Sequence, residues 1–232
     1  MRRLISSLLN QFIVNKTATA LGKKPSKPTM VFSIAAGLIL NVLFNSAAVA
    51  EGDAERGEVL SQTCLGCHGA PGFRNASPVY RVPMIGGQNA DYIVSALQSY
   101  KNKSRSHPTM QAQAASLTDQ DMQDIGVYFA GLSGKTRLLD KPGAAAGKEI
   151  SATCAGCHGA DGNSDNEQFP KLAGQYDDYI ERALLDYQSG KRNNAIMSGF
   201  VGNLSKQDIK NLADYFRSQQ GDLTAPVIKV RK

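Results

Sequence analysis

Two five-residue stretches, Cys64-Leu65-Gly66-Cys67-His68 and Cys154-Ala155-Gly156-Cys157-His158, decide how this chain folds. Together they hold all four cysteines and two of the three histidines of the 232-residue sequence. Each lies inside a longer match, because residues 56–70 align with residues 146–160 without a gap, at an offset of 90 positions. A match of this length within one chain indicates a duplicated structural unit.

The duplication continues beyond both motifs. Gly86-Gly87-Gln88 aligns with Ala173-Gly174-Gln175 at an offset of 87, so the first unit has three extra residues in the loop before this point. In the same register Tyr100 pairs with Tyr187, Met110 with Met197, Leu117 with Leu204, and Tyr128-Phe129 with Tyr215-Phe216.

This register divides the chain into two homologous lobes. We predict a first domain over 51–132 and a second over 146–232. The segment 133–145 between them contains Pro142 and Gly143, which interrupt helical patterns, and we predict that it is a linker.

The last helix of each lobe gives the clearest secondary-structure signal. Thr118 and Ser205 each precede an aspartate by three residues, Asp121 and Asp208, which is typical of a capped helix start. Apolar residues then recur at helical spacing, at Ile125, Tyr128, Phe129 and Leu132 and at Ile209, Leu212 and Phe216. Because no segment after the leader alternates with period two, we predict an all-α fold.

The leader has the pattern of an export signal. Residues 1–50 contain six basic side chains and no acidic one, and an apolar run, Met30–Phe44, precedes the small residues Ala48-Val49-Ala50. We predict a signal peptide over 1–50, cleaved after Ala50. An uncleaved membrane anchor stays open, although Asn41 interrupts the run and a spanning helix needs roughly 20 apolar residues.

The leader also accounts for the whole net charge of +6, since the rest of the chain has equal numbers of acidic and basic residues. A nucleic-acid binder concentrates basic charge in its folded part, so this class is not expected.

The cysteine motifs indicate covalent haem. Two thiols three positions apart on one turn can add to the two vinyl groups of one haem, and the adjacent histidine can reach its iron. A redox dithiol, a four-cysteine zinc site and a disulfide are the alternatives, but none of them explains a histidine repeated directly after each pair. We predict two covalently attached haem c groups, held by Cys64, Cys67 and His68 and by Cys154, Cys157 and His158.

The sixth iron ligand distinguishes an electron carrier from a catalyst, because a closed coordination shell passes electrons whereas an open one binds a substrate. Met110 and Met197 are the only methionines that align with each other, and we expect both in loops before the terminal helices. We predict His68 with Met110 and His158 with Met197 as axial pairs. His107 could replace Met110, but its counterpart is Asn194, and a lone loop histidine is usually solvated.

The tandem motifs, the Phe169-Pro170-Lys171-Leu172-Ala173-Gly174-Gln175 segment, the later methionines and the aromatic terminal helices resemble the di-haem cytochrome c4 family. The resemblance implies two tandem class I cytochrome c domains. It also implies that the carbonyl groups of Pro83 and Pro170 accept hydrogen bonds from His68 and His158. The first lobe departs from the family pattern at Val82-Pro83-Met84-Ile85.

The resemblance further implies a periplasmic shuttle between a membrane quinol-oxidising complex and a terminal oxidase, with or without a loose association with the membrane. Two basic loops, with Lys101, Lys103 and Arg105 in one and Lys191 and Arg192 in the other, either steer an acidic partner or are simply solvated. The alternatives are a haem subunit docked on a periplasmic dehydrogenase and, against the two aligned methionines, a di-haem peroxidase.

Overall fold

A computed structural model describes residues 51–227 of the chain. The predicted signal peptide lies outside these residues. The described part is helical, with three isolated β-bridges and no strand, which confirms the predicted all-α class. Over the same residues, no helix has both the length and the apolarity that crossing a bilayer requires.

The helices form two matching sets. The first set consists of α1 (Ala54–Leu60), α2 (Gln62–His68), α3 (Ala90–Lys101), α4 (Pro108–Ala114) and α5 (Asp119–Ala130). The second consists of α6 (Ala144–Ser151), α7 (Ala155–His158), α8 (Asp177–Gln188), α9 (Ala195–Val201) and α10 (Lys206–Ser218). In each lobe the first and third helices pack on the last, and the fourth packs against the third.

The terminal helices begin where the sequence predicts. The Thr118 hydroxyl accepts a hydrogen bond from the Asp121 amide, and the Asp121 carboxylate accepts one from the Thr118 amide. Ser205 and Asp208 form the same reciprocal pair at the start of α10. Each exchange satisfies two amide groups that a helix start otherwise leaves without partners.

The predicted apolar faces of these helices form the cores of the lobes. Ile125 and Phe129 are buried in the first lobe, beside Met122. Leu212 and Phe216 are buried in the second. Each core is small, so the site that adjoins it is a large part of each lobe's interior.

One glycine in each lobe permits a close helix crossing. A Cβ atom added at Gly57 of α1 would lie 2.1 Å from the Asp124 carbonyl oxygen of α5. At the equivalent Gly147 of α6, a Cβ would lie 2.0 Å from the Asn211 carbonyl oxygen of α10. The two crossings therefore bring backbone against backbone, which only glycine allows.

Two repeated glutamines join the lobes. The side chain of Gln88 accepts from the Lys171 amide at 2.8 Å and donates to the Lys171 carbonyl at 3.0 Å. Gln175 makes the same pair of bonds with the backbone of Met84, at 3.0 and 2.8 Å. Because Met84 and Lys171 are equivalent positions, the contact has twofold pseudosymmetry.

The longer loop of the first lobe adds an asymmetric contact. Arg81 forms ion pairs with Asp177 and Asp178 at the start of α8, and Lys141 also pairs with Asp177, at 2.5 Å. The Gly72 amide donates to the Tyr176 hydroxyl at 2.9 Å. The loop that departs from the repeat therefore fastens the first lobe to the second.

Candidate functional site

The described residues place all ten predicted site residues around one continuous cavity between the helices. Its walls include Cys64, Cys67, His68, Pro83 and Met110 from the first lobe, and Cys154, Cys157, His158, Pro170 and Met197 from the second. Helix α2 carries the first cysteine motif, and α7 with the preceding residue carries the second.

Each motif histidine is held by a proline carbonyl. The Nδ1 atom of His68 lies 2.8 Å from the Pro83 oxygen, and that of His158 lies 3.0 Å from the Pro170 oxygen. A carbonyl oxygen can only accept, so Nδ1 carries the proton in both rings and Nε2 keeps its lone pair. Burial lowers the pKa of both imidazoles and so favours the neutral form that can bind a metal.

All four cysteines border the cavity, and none of them forms a disulfide. Burial raises the pKa of the Cys64 and Cys154 thiols. Between residues 51 and 227, no group of three or more histidine, cysteine or acidic side chains comes together to hold a metal ion. The four-cysteine zinc site therefore has no support in the described fold.

The aligned methionines lie in short helices, where sequence analysis had predicted loops. Met110 is in α4 and Met197 in α9. His107 and Asn194 cap these helices, because each side chain accepts a hydrogen bond from the amide three residues later. A histidine and an asparagine can both do this, so the repeat conserves the cap while the residue type changes.

His107 is therefore not a freely solvated loop side chain. Its Nδ1 accepts from the Met110 amide at 3.3 Å, and its half-buried ring contacts those of Tyr80 and Tyr100 edge to face. Burial lowers its pKa, so the ring is neutral around pH 7. The hydrogen bond from the Met110 amide occupies Nδ1, so a helix cap accounts for a histidine at this position and no role as an iron ligand is needed.

Two arginines of the predicted basic loops lie between the lobes. Arg105 donates to the Tyr179 hydroxyl of the other lobe at 2.7 Å, and Arg192 donates to the Tyr92 hydroxyl at 2.7 Å. The two loops also exchange backbone bonds around the Arg105–Arg192 bridge, which makes this contact pseudosymmetric too. This placement corrects the expectation that the two arginines are solvated or free to steer a partner.

These arginines bring two positive charges to the wall of the cavity. Both guanidinium groups line it, and in the described chain neither is ion-paired with a carboxylate. Burial alone would raise the pKa of Tyr92, but the charges of Arg192 and Arg105 outweigh this and lower it to about 8. Two cations that lack carboxylate partners, of which Arg105 is buried and Arg192 partly buried, suit an anionic ligand.

The donor set fits haem. Each lobe offers two thiols, an imidazole with a free Nε2 and a thioether around an apolar space, and the arginines suit the carboxylate groups of the macrocycle. Sequence analysis placed Arg105 and Arg192 in basic loops but not in the site, and it gave no role to Tyr92 or Tyr179. The signal that could have identified them is repetition, because Arg105 aligns with Arg192 and Tyr92 with Tyr179 at the offset of 87.

Comparisons with known proteins agree with this site. The family model described as cytochrome c matches residues 144–220. The chain is 32% identical over 203 residues to cytochrome c4 of Stutzerimonas stutzeri, a match that covers 78% of this chain and 95% of the relative.

Solved structures give the same picture. The fold is similar to that of reduced recombinant cytochrome c4 from Pseudomonas stutzeri, with a TM-score of 0.64 and 30% identity over 72% of this chain and 99% of the other. It is also similar to thiosulfate dehydrogenase from Marichromatium purpuratum, with a TM-score of 0.61 and 28% identity over 71% of this chain and 40% of that one.

Proposed function

Because the chain belongs to the cytochrome c4 family, a family of di-haem electron carriers, we propose that it carries electrons from a membrane quinol-oxidising complex to a terminal oxidase. The chain carries two covalently attached haem c groups, one on each cysteine pair.

The observation that carries the proposal is the matched pair of sites. Each lobe borders the cavity with two cysteines, a histidine, a proline and a methionine at equivalent positions, so neither site differs from the other as a substrate-binding site would. A bound haem supplies an iron that changes its charge by one electron. We propose His68 with Met110 and His158 with Met197 as its axial ligands.

Hydrogen bonds orient the residues that would hold each haem. The Pro83 and Pro170 carbonyls orient the histidine rings, and α4 and α9 present the methionines from capped helix starts. A site whose ligands are held before electron transfer needs little rearrangement when the charge on the iron changes.

We also propose that residues 1–50 export the chain to the periplasm and are removed.

Stopped-flow spectroscopy tests the partners. The oxidised protein is mixed with quinol and membranes from the source cells, and the reduced protein with the same membranes and oxygen. We expect quinol-dependent reduction that an inhibitor of the quinol-oxidising complex blocks, and oxidation that cyanide blocks. Exchange that persists with both inhibitors would contradict the proposed pair of partners.

A second candidate is a haem subunit of a periplasmic dehydrogenase. The similarity to a thiosulfate dehydrogenase favours it. The match covers 40% of that chain, so a region like this protein is there part of a longer dehydrogenase chain. Size-exclusion chromatography of a native periplasmic extract distinguishes the two. A carrier elutes at the size of its own chain, whereas a subunit elutes with its dehydrogenase at all salt concentrations.

A di-haem peroxidase is disfavoured by the same matched pair of sites. Such an enzyme needs an iron with an exchangeable ligand, whereas Met110 and Met197 border equivalent parts of the cavity. We propose that the chain is not an enzyme. Adding peroxide to the reduced protein should therefore give no turnover above that of a mono-haem cytochrome with histidine and methionine ligands.

A further inference from the structure

After helix α10 the chain leaves the second lobe and reaches the first. We call residues 220–226 the C-terminal tail. The tail runs beside the linker, because the amides of Gly134 and Thr136 donate to the carbonyl groups of Asp222 and Gly221 at 2.8 and 2.9 Å. It then continues onto the first lobe, so a segment beyond the last helix of the second lobe contacts both the linker and the first lobe.

The tail pairs with the first lobe through its backbone. The Gly86 amide donates to the Thr224 carbonyl at 3.0 Å, and the Thr224 amide donates to the Gly86 carbonyl at 2.9 Å. A Cβ atom added at Gly87 would lie only 2.4 Å from the Asp222 carbonyl oxygen. The tail therefore lies directly against the loop that follows Pro83.

Leu223 of the tail packs on the residue that follows Pro83. Its side chain is only 1% exposed and forms a small buried cluster with Met84 and Tyr176. Tyr176 belongs to the second lobe, so the Leu223 side chain fills a junction between the lobes. Leu223 is not among the residues that line the cavity, so any effect that it has on a haem passes through another residue.

Met84 shares a peptide group with the carbonyl that holds His68. The Pro83 carbonyl, which accepts from Nδ1 of His68 at 2.8 Å, and the Met84 amide lie in one plane. The side chain of Gln175 accepts from that amide at 3.0 Å, and Leu223 packs on the same residue. Both contacts come from the second lobe and its tail, and together they fix the direction of the Pro83 carbonyl.

The tail also reaches the chain next to His68. A Cβ atom added at Gly69, the residue directly after His68, would lie 2.8 Å from the Pro226 carbonyl oxygen. At the equivalent Gly159 of the second lobe, the nearest atoms belong to Asn163 of the same lobe, at 2.7 Å. The tail thus adjoins the chain beside both partners of the histidine–proline hydrogen bond of the first lobe.

The linker holds the second lobe in a different way. Thr136, which is equivalent to Leu223 at the offset of 87, is a polar residue whose hydroxyl donates to the Gly221 carbonyl at 3.0 Å. A Cβ atom added at Gly174 would lie 2.3 Å from the Thr136 hydroxyl oxygen. The linker therefore lies on the second lobe as the tail lies on the first, but with a hydroxyl group where the tail has a buried aliphatic side chain.

We propose that Leu223 is a positioning residue for the haem of the first lobe. By packing on Met84 it holds the Pro83 carbonyl where it accepts from His68. Such a hydrogen bond makes the histidine a more basic ligand. A more basic ligand favours the ferric iron, so Leu223 keeps the reduction potential of the first haem low and does not affect the second. This inference rests on the proposed function, in which His68 is an axial ligand.

The test is a spectroelectrochemical titration of Leu223→Ala and wild-type protein, with each potential assigned to a lobe by the NMR signals of the haem ligands. We expect the one-electron equilibrium constant of the first haem to rise by up to about tenfold, the lower end of what loss of an outer-shell partner typically causes. Tenfold corresponds to about 59 mV for one electron. The NMR signals of His68 should shift, whereas those of His158 and the second potential should stay.

Leu138→Ala is the matched control. It makes the same change in the linker, where the side chain is 57% exposed, so both potentials should equal those of wild type. Leu223→Met nearly conserves the buried volume and should also keep both potentials. Leu223→Val leaves a smaller cavity and should shift the first potential in the same direction by less, which keeps the test valid if the alanine variant does not retain two haems.

The outcomes separate this inference from the proposed function. An unchanged first potential in Leu223→Ala, equal shifts of both haems, or the same shift in Leu138→Ala would overturn the role of Leu223. These potentials are measured with an electrode and do not depend on the natural partners. Membranes that exchange no electrons with wild-type protein would instead contradict the proposed function.

Discussion

The hydrogen-bond partners of the two motif histidines determine which ring atom faces the iron site. His68 and Pro83 are 15 positions apart, and His158 and Pro170 are 12 apart, yet both pairs come within hydrogen-bond distance. The residue spacing alone does not show this contact, because a loop of that length can adopt many paths. Only the resemblance to a family indicated it, and the structure places both carbonyl groups accordingly.

The arginine pair lay beyond sequence analysis for a similar reason. Arg105 and Tyr179 are 74 positions apart, and Arg192 and Tyr92 are 100 apart. Each pair crosses from one lobe to the other, and the sequence of a single lobe contains no information on how the lobes face each other. A basic loop is usually solvated, so the sequence favoured a surface position for both arginines.

Replacing either arginine tests the electropositive cavity. We expect Arg105→Gln to lower the reduction potentials of the haems, because a buried cation favours the iron state with the smaller positive charge. The shift should be on the order of tens of millivolts in a spectroelectrochemical titration.

Lys191→Gln is the matched control for this change. It removes the same charge from an exposed position next to Arg192, where solvent screens the charge. A potential that rises in Arg105→Gln, or an equal shift in both variants, would contradict the role of the buried cation.

Among the helices, those with a cap and a long apolar face were predictable. Helices α5 and α10 have both signals, and they begin at their predicted caps. Helices α4 and α9 have seven residues each and no long apolar face, so sequence analysis treated them as loops. Their caps were readable only once His107 and Asn194 were seen to play the same role.

The helix crossings give a prediction about stability. Gly147→Ala should lower the free energy of unfolding by about 3 kcal/mol, the upper end of the range of about 1–3 kcal/mol typical of overpacking. The reason is that the added Cβ meets the Asn211 carbonyl of α10. Denaturant unfolding of the holoprotein measures the change.

Gly156→Ala is the control within the same lobe. A Cβ at this position meets no atom within 4 Å, so the variant should unfold within about 0.5 kcal/mol of wild type. Equal destabilisation by the two changes would show that the crossing is not the reason for glycine at position 147.

On the scale of the whole molecule, the repeat predicted two lobes but not their contact. Gln88 and Gln175 are equivalent in the alignment of the two lobes, where they indicated only the offset of 87. In the structure each glutamine binds the backbone of the other lobe. This contact could not be predicted, because the sequence does not show which surfaces of the lobes meet. A repeated glutamine is equally compatible with a solvated position in each lobe. Arg81, which pairs with Asp177 and Asp178, lies in the loop that is three residues longer in the first lobe than in the second.

The ion pairs of Asp177 with Arg81 and Lys141 predict how stability depends on pH. Burial alone would raise the pKa of Asp177, but the hydrogen bond from Lys141 and the charge of Arg81 outweigh this and hold its pKa below the ordinary value of 3.8. A depressed carboxyl pKa stabilises the folded state above the unfolded pKa, and this contribution is lost as the pH falls through the folded pKa.

The difference in unfolding free energy between wild type and Asp177→Asn should therefore be constant above about pH 5 and shrink below about pH 4. Denaturant unfolding across this range measures it. The variant keeps the shape of the side chain but cannot carry the charge. A difference that grows on acidification would have the wrong sign for a paired carboxylate.

At the scale of the whole molecule, we propose that both haems have a histidine and a methionine ligand, as an electron carrier requires. The most direct test is the visible spectrum of the ferric protein at neutral pH, with the haem content per chain and the intensity of the methionine-to-iron charge-transfer band. We predict two haems and two equal contributions to the band, one lost in Met110→Ala and the other in Met197→Ala. A single contribution with a high-spin second haem in the wild-type protein would contradict the account.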